Sequence, residues 1–183
     1  MRGLFSGFAD WLIERAKRRP YRKGHLFHAD GSLYMGRYCL FESRWLSARV
    51  HHIATADLDR HMHDHPWNFV SLVLRGGYLE LRPAEREPCF ITVSKPRGLV
   101  WEDEQVERSR MTQRLCGDLA FRRATDRHRI VSVLPHTWSL FVYGPVLQWW
   151  GFYTPQGKIH WRDYASPVGV SNDQGEVANV ERD

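Results

Sequence analysis

His61-Met62-His63-Asp64-His65-Pro66-Trp67, "HMHDHPW", places three histidines on alternate positions and closes them with a proline. An extended strand sends alternate side chains to opposite faces. His61, His63 and His65 would then share one face, and Met62 and Asp64 the other. Residues two apart on a strand lie roughly 6.5–7 Å apart at Cα. Two imidazoles at that spacing can converge on one ion, with bonds of about 2.0–2.1 Å in the zinc case. Pro66 cannot donate to a ladder, so it ends regular pairing and bends the chain just after the pair. The plain alternative is three polar side chains on a solvated strand.

The rest of the chain reads as many short strands. Candidates run over 33–41, 47–53, 69–74, 78–82, 89–93, 111–115, 128–134 and 138–143, with a hairpin within 149–161. Gly76-Gly77, Pro83, Pro88, Pro96, Gly98, Gly117, Pro135, Gly144-Pro145 and Pro155-Gln156-Gly157 separate them. Short strands at this spacing indicate an all-β sandwich or barrel. No strand–helix repeat, GxGxxG or phosphate loop is present, which argues against a doubly wound nucleotide fold. The charge-dense segment 102–110 reads as an exposed connection. The organisation expected is a basic helical segment at 1–24, a barrel at 25–165 and a polar flexible tail at 166–183.

Residues 1–24 hold seven basic and two acidic side chains, a net of +5, which is the whole net charge of the protein. The remaining residues balance, which weakens any reading of the barrel as a nucleic-acid binder. Within 4–18, Leu4, Phe8, Trp11, Leu12 and Ala16 follow helical spacing. The expectation is an amphipathic helix whose aromatic face packs on the following domain. Contact with an anionic membrane or nucleic acid is the alternative. The 183 residues with 43% hydrophobic content suit one domain with a sizeable core. Three scattered cysteines suggest no disulfide framework. With no secretory or membrane-spanning pattern, the expectation is a reduced, cytoplasmic protein.

These features resemble the cupin superfamily of small jelly-roll barrels. Its first motif contains an HxH pair and a closing glycine, and its second runs from a glycine to a third histidine. Here His63-Asp64-His65 supplies the pair, Gly76 the closing glycine, Gly117 the second opening and His128 the third histidine. Arg123 and Thr125 stand where the second motif has proline and glycine. Phe69 stands at the usual glutamate position, and Ser132 replaces a frequent asparagine. The chain also resembles a cupin-like subgroup with HDHPW, GGY.E and Trp-Gly-Phe signatures, here 63–67, 77–80 and 150–152.

The resemblance implies a cupin-type double-stranded β-helix, with a divalent metal held by His63, His65 and His128. His61 falls outside the matched motif and is open as a fourth ligand or a rim residue. Fe(II) is the expected ion, with Zn, Ni or Mn as alternatives. Without the glutamate, a substrate carboxylate, thiolate or enolate would supply the anionic ligand, as in thiol-dioxygenase-like cupins. The implied activity is an Fe(II)-dependent oxygenation of a small anionic substrate. Tyr78 and Glu80 share a face of one strand and are the candidate acid, base or substrate-orienting groups. Arg123 is a candidate carboxylate clamp, and Trp67, Trp138, Trp149, Trp150, Phe152 and Tyr153 are candidate pocket walls. Alternative readings are a cupin-fold sugar epimerase or isomerase using His63 and Tyr78, and a non-enzymatic metal- or ligand-binding module. A homodimer is a further expectation. No Gly-x-Ser-x-Gly elbow is present, and Cys116 has no evident base beside it.

Overall fold

A computed structural model of the chain describes residues 2–21, 24–28, 30–98, 100–164 and 170–172. The all-β expectation holds: among the described residues one helix, α1 (Arg2–Lys17), precedes fourteen strands. A seven-stranded sheet contains β1 (Leu26–His28), β2 (Leu33–Phe41), β3 (Ser47–Ile53), β4 (Phe69–Arg75), β9 (Leu119–Arg122), β11 (Thr137–Tyr143) and β14 (Val170–Asn172). Its strand order is β14-β1-β2-β3-β11-β4-β9. A three-stranded sheet holds β5 (Gly77–Pro83), β8 (Ser109–Leu115) and β10 (Arg129–Val133) in the order β10-β5-β8. Two hairpins, β6 (Phe90–Arg97) with β7 (Val100–Glu107) and β12 (Gly151–Thr154) with β13 (Gly157–His160), complete the set. Every pairing between these strands is antiparallel. Of the tail expected at 166–183, Val170–Asn172 pairs with β1. The rest of it lies outside the described residues.

Gly76 carries the chain from the large sheet to the small one. Its φ of 69° lies in the left-handed region, and an added Cβ would sit 2.5 Å from Thr137 Oγ1. Only glycine fits both demands. Thr137 Oγ1 accepts a hydrogen bond from the Gly77 N–H at 3.0 Å and donates within the same turn. The crossing is therefore pinned to β11. Ile53 and Val73 of the large sheet then pack against Tyr78 and Ile130 of the small one. A second cluster of Trp67, Phe69, Phe141 and Tyr143 lies toward the HMHDHPW segment.

Two details differ from the sequence reading. The segment 102–110 is not a connection: most of it is β7, paired residue by residue with β6. Cross-strand charge holds this exposed hairpin, with Lys95 on Glu104 at 2.5 Å and Arg97 on Glu102 at 3.3 Å. A ladder supported by opposite charges lacks the apolar alternation that marks a half-buried strand. The helix is also rotated from its expected setting. Ala9, Leu12, Ile13 and Ala16 are buried against Val50, Leu74 and Trp138 on the outer face of the large sheet, while Leu4, Phe8 and Trp11 are exposed. Small side chains allow the closer approach, so Ala9 and Ala16 decide the face. Among the described residues, no helix is long and apolar enough to cross a membrane.

This packing separates two substitutions. Ile13→Ala should cost about 2–4 kcal/mol, whereas Trp11→Ala should change stability by less than about 0.5 kcal/mol. Urea denaturation midpoints of the two variants measure the contrast. The reverse ranking would restore the aromatic face as the packed one.

Candidate metal centre

The HMHDHPW segment is extended but is not a strand of either main sheet. His63 and His128 exchange backbone hydrogen bonds at 3.0 Å in both directions, forming an isolated bridge. Met62 accepts from the Tyr153 N–H at 2.9 Å, and the Asp64 N–H donates to Gly151 at 3.2 Å. The expected alternation is present. Met62 and Asp64 are buried on one side, with Asp64 showing no exposed surface. His63 and His65 turn to the other side and remain partly accessible.

Asp64 explains why the segment stays in place. Its carboxylate accepts from the Gly151 N–H at 2.9 Å, Gln148 Nε2 at 2.9 Å and Tyr153 Oη at 3.0 Å, and pairs with Lys158 Nζ at 2.6 Å. A buried carboxylate is tolerated only when paired and hydrogen-bonded in this way. The Asp64 contacts fix the 151–160 hairpin behind the histidines. Gly151 is required there, because a Cβ would lie 2.0 Å from the Ile159 carbonyl oxygen.

The bridge brings His128 to the pair from some sixty residues away. One ring nitrogen from each of His63, His65 and His128 lies within 4.8 Å of the others. His65 Nε2 and His128 Nε2 are 2.8 Å apart. His63 Nδ1 is buried without a hydrogen-bond partner. The three rings can therefore hold a metal ion, and the orphaned nitrogen fits a site built for one. His61 is not in this group; its Nδ1 meets Tyr164 Oη at 2.8 Å.

The protonation chemistry suits ligation. Burial, followed by the electrostatic effect of His128, lowers His63 to about 4. Burial and the neighbouring rings of His128 and His63 hold His65 well below the ordinary histidine range. Both imidazoles are neutral at physiological pH, the state in which a ring nitrogen can bind a metal.

Glu80 reaches the site through a histidine. It is 1% exposed. Oε2 lies 3.1 Å from His128 Nδ1, while Oε1 accepts from Arg122 at 2.7 Å and Arg114 at 3.0 Å. Burial pushes the Glu80 carboxyl up, but His128 and Arg122 outweigh it and hold the group at about 2. A carboxylate on Nδ1 keeps the proton there and leaves Nε2 as the ligand nitrogen, the usual arrangement behind a metal-binding histidine. Tyr78 lies two residues earlier on β5, buried among Ile53, Val73 and Ile130. Burial and then Glu80 push its phenol up to about 12, so it stays protonated.

Other expected site residues are spread around this centre. Arg123 is exposed, and its neighbour Arg122 supplies the buried guanidinium instead. The only sequence signal for Arg122 is its parity: in β9, positions 120 and 122 face inward. Phe69 stacks edge-on against His65 at 4.8 Å between centroids, taking the place of a ligand by packing on one. Trp67 stacks on His65 at 6.2 Å and Trp150 meets His63 at 6.0 Å. The same two indoles line a groove of about 280 Å³ with Trp149, Trp161, His160 and Arg162. Trp138 lies elsewhere, under α1.

His51 was not singled out for the site, yet it belongs to the same interior. It stacks on Phe141 at 5.1 Å, and Phe141 also contacts the His65 ring. Its Nε2 is buried without a hydrogen-bond partner. Burial, followed by Arg49, lowers His51 to about 3.

These shifts give a pH dependence with a definite sign. His51 and His63 bind a proton near pH 6.5 when unfolded but only near 3–4 when folded. Between those limits the unfolded chain holds more protons, so stability falls as pH falls. Going from pH 7.5 to pH 5 should cost the metal-free protein roughly 2 kcal/mol for each of the two histidines. Urea unfolding at the two pH values measures it; equal midpoints would show that these rings are not buried in the neutral form.

No family model matches the sequence, and no curated protein matches it. Among solved structures, the chain is similar to the DMSP lyase DddQ from Ruegeria pomeroyi. That likeness has 19% identity and a TM-score of 0.46, covering 76% of this chain and 62% of that one. The chain thus spans about three fifths of the length of that protein. It is also similar to a cupin 2 conserved barrel domain protein from Rhodopseudomonas palustris, at 13% identity and a TM-score of 0.42, covering 76% of this chain and 78% of that one. A third likeness is to hydroxypropylphosphonic acid epoxidase from S. wedmorenis, at 13% identity and a TM-score of 0.42, covering 70% of this chain and 56% of that one. These likenesses are in strand arrangement; the three-histidine group is read from distances within this chain.

Proposed function

We propose that this protein is a cupin-like enzyme with one divalent metal ion, Fe(II) in preference to Zn, Ni or Mn, that oxygenates a small anionic substrate. The observation that carries the proposal is the convergence of three ring nitrogens, from His63, His65 and His128, within 4.8 Å. Three imidazoles contribute no charge, so the ion's positive charge favours an anionic substrate group. Arg122 lies in the same interior, with its charge already balanced by Glu80. An iron ion bound there would supply dioxygen activation and an anchor for a carboxylate or thiolate.

The chain's own groups supply the rest. Glu80 holds the proton on His128 Nδ1 and so fixes the ring's ligating nitrogen. Trp67, Phe69 and Phe141 wall His65 on its apolar side and exclude water. The unpartnered His51 Nε2 offers a polar contact to a substrate inside the barrel. The groove shares Trp150 with the His63 ring and Trp67 with the His65 ring, which supports it as the approach route. Tyr78, protonated and buried two residues from Glu80, orients substrate or water and is not a base at neutral pH. A metal-independent epimerase would require one of these histidines to act as a free base, and a ring lowered to about 4 such as His63 is a poor one.

Elemental analysis of protein purified without a histidine tag tests the site. Wild type should carry about one metal ion per chain, and His63→Ala and His128→Ala should lose it. Glu80→Gln should keep the fold but weaken metal affinity roughly 10–100-fold. Dioxygen uptake by iron-loaded protein over a panel of small thiols and keto acids then tests the reaction. A metal-free wild type, or full retention in both alanine variants, contradicts the site. Full metal loading without dioxygen uptake contradicts the oxygenase reading alone.

A further inference from the structure

Helix α1 has two apolar faces, and the sheet uses one. Ala9, Leu12, Ile13 and Ala16 are buried against the barrel. Leu4, Phe8 and Trp11 form an adjacent row at i, i+4 and i+7, and they are 84%, 47% and 59% exposed. The Phe8 and Trp11 rings stack on each other at 6.2 Å, so the row is one surface. A contiguous exposed row of large apolar side chains marks an interaction site.

Charge identifies what that site fits. The acids of the helix are both engaged, Asp10 with Arg75 and Glu14 with Lys17. Arg15 continues the apolar row one turn beyond Trp11, and Arg18 follows at i+7. Arg15, Arg18 and Arg19 are exposed. Among the described residues none of the three has a carboxylate at ion-pair distance. A second copy of the chain would press one +5 segment against another. A nucleic acid would satisfy the arginines and leave Leu4, Phe8 and Trp11 wet. An anionic bilayer takes both at once, with indole and phenyl rings at the headgroup boundary and guanidinium groups on the phosphates.

We infer that α1 docks the protein peripherally on an anionic lipid surface through Leu4, Phe8, Trp11, Arg15, Arg18 and Arg19. The helix stays packed on the large sheet while it does so, because the docking row and the packed row are different faces. The inference is independent of the metal centre.

Co-sedimentation of the full chain with vesicles tests it. Vesicles of phosphatidylcholine alone are compared with vesicles containing about one-third phosphatidylglycerol, at low and high salt. The protein should bind the anionic vesicles, and high salt should release it. Phe8→Ser with Trp11→Ser should weaken binding by at least roughly tenfold. Arg15→Glu, Arg18→Glu and Arg19→Glu together should weaken it by roughly a hundredfold or more. Circular dichroism and metal content of both variants should match wild type, which separates lost docking from lost folding. Failure of wild type to bind, equal binding to the uncharged vesicles, or undiminished binding by either variant overturns the inference. So does a dimer that Phe8→Ser with Trp11→Ser dissolves, since a second copy would then own the face.

Discussion

A carboxylate with no exposed surface lies between two ligand histidines in the sequence. Asp64 is buried with four partners, all of them on the segment 148–158. Because strand side chains alternate, holding Asp64 on one side compels His63 and His65 to the other. The same contacts clamp the 151–160 hairpin behind the site, which brings Trp150 and Phe152 against the His63 ring. The bridge from His63 to His128 then imports the third ring. Without a satisfied carboxylate at 64, neither the direction of the pair nor its backing would be fixed.

A second balance sits across the interior. Glu80 is surrounded by Arg114, Arg122 and His128: the two arginines pair with Oε1, and the His128 ring hydrogen-bonds to Oε2. Burial opposes the ionised form, and the hydrogen bond to His128 together with the Arg122 charge restores it, so the group remains an acceptor at all physiological pH values. It acts on His128 as a positioning residue. The imidazoles are treated in the opposite way: His63 and His65 are kept neutral by burial first and then by the neighbouring His128 ring. The site thus sets a fixed anion behind His128 and keeps His63 and His65 neutral, the form in which a ring nitrogen can ligate.

Much of this was legible in the sequence, for identifiable reasons. The HxH spacing exposes the strand alternation directly. Gly76 is readable because its backbone turns through a positive φ against Thr137, a place no other residue fills. The link to His128 depended on spacing from Gly117, which also has a positive φ. Other features were hidden. Arg122 and His51 reach the site through the register of distant strands, and beyond the inward parity of Arg122 no local pattern records it. The β6–β7 hairpin is held by ion pairs, so it looked like a charged loop. The packed face of α1 is not the one that its large side chains, Leu4, Phe8 and Trp11, suggest, because the sheet takes the flatter Ala9–Ala16 side.

The central claim is that His63, His65 and His128 form one ligand set and that His61 stands outside it. X-ray absorption at the edge of a loaded metal counts coordinated imidazoles directly. Wild type and His61→Ala should both show three imidazole ligands, and His128→Ala should show two with weakened binding. A wild-type spectrum without imidazole scattering, or loss of an imidazole in His61→Ala with retention in His128→Ala, would contradict the account.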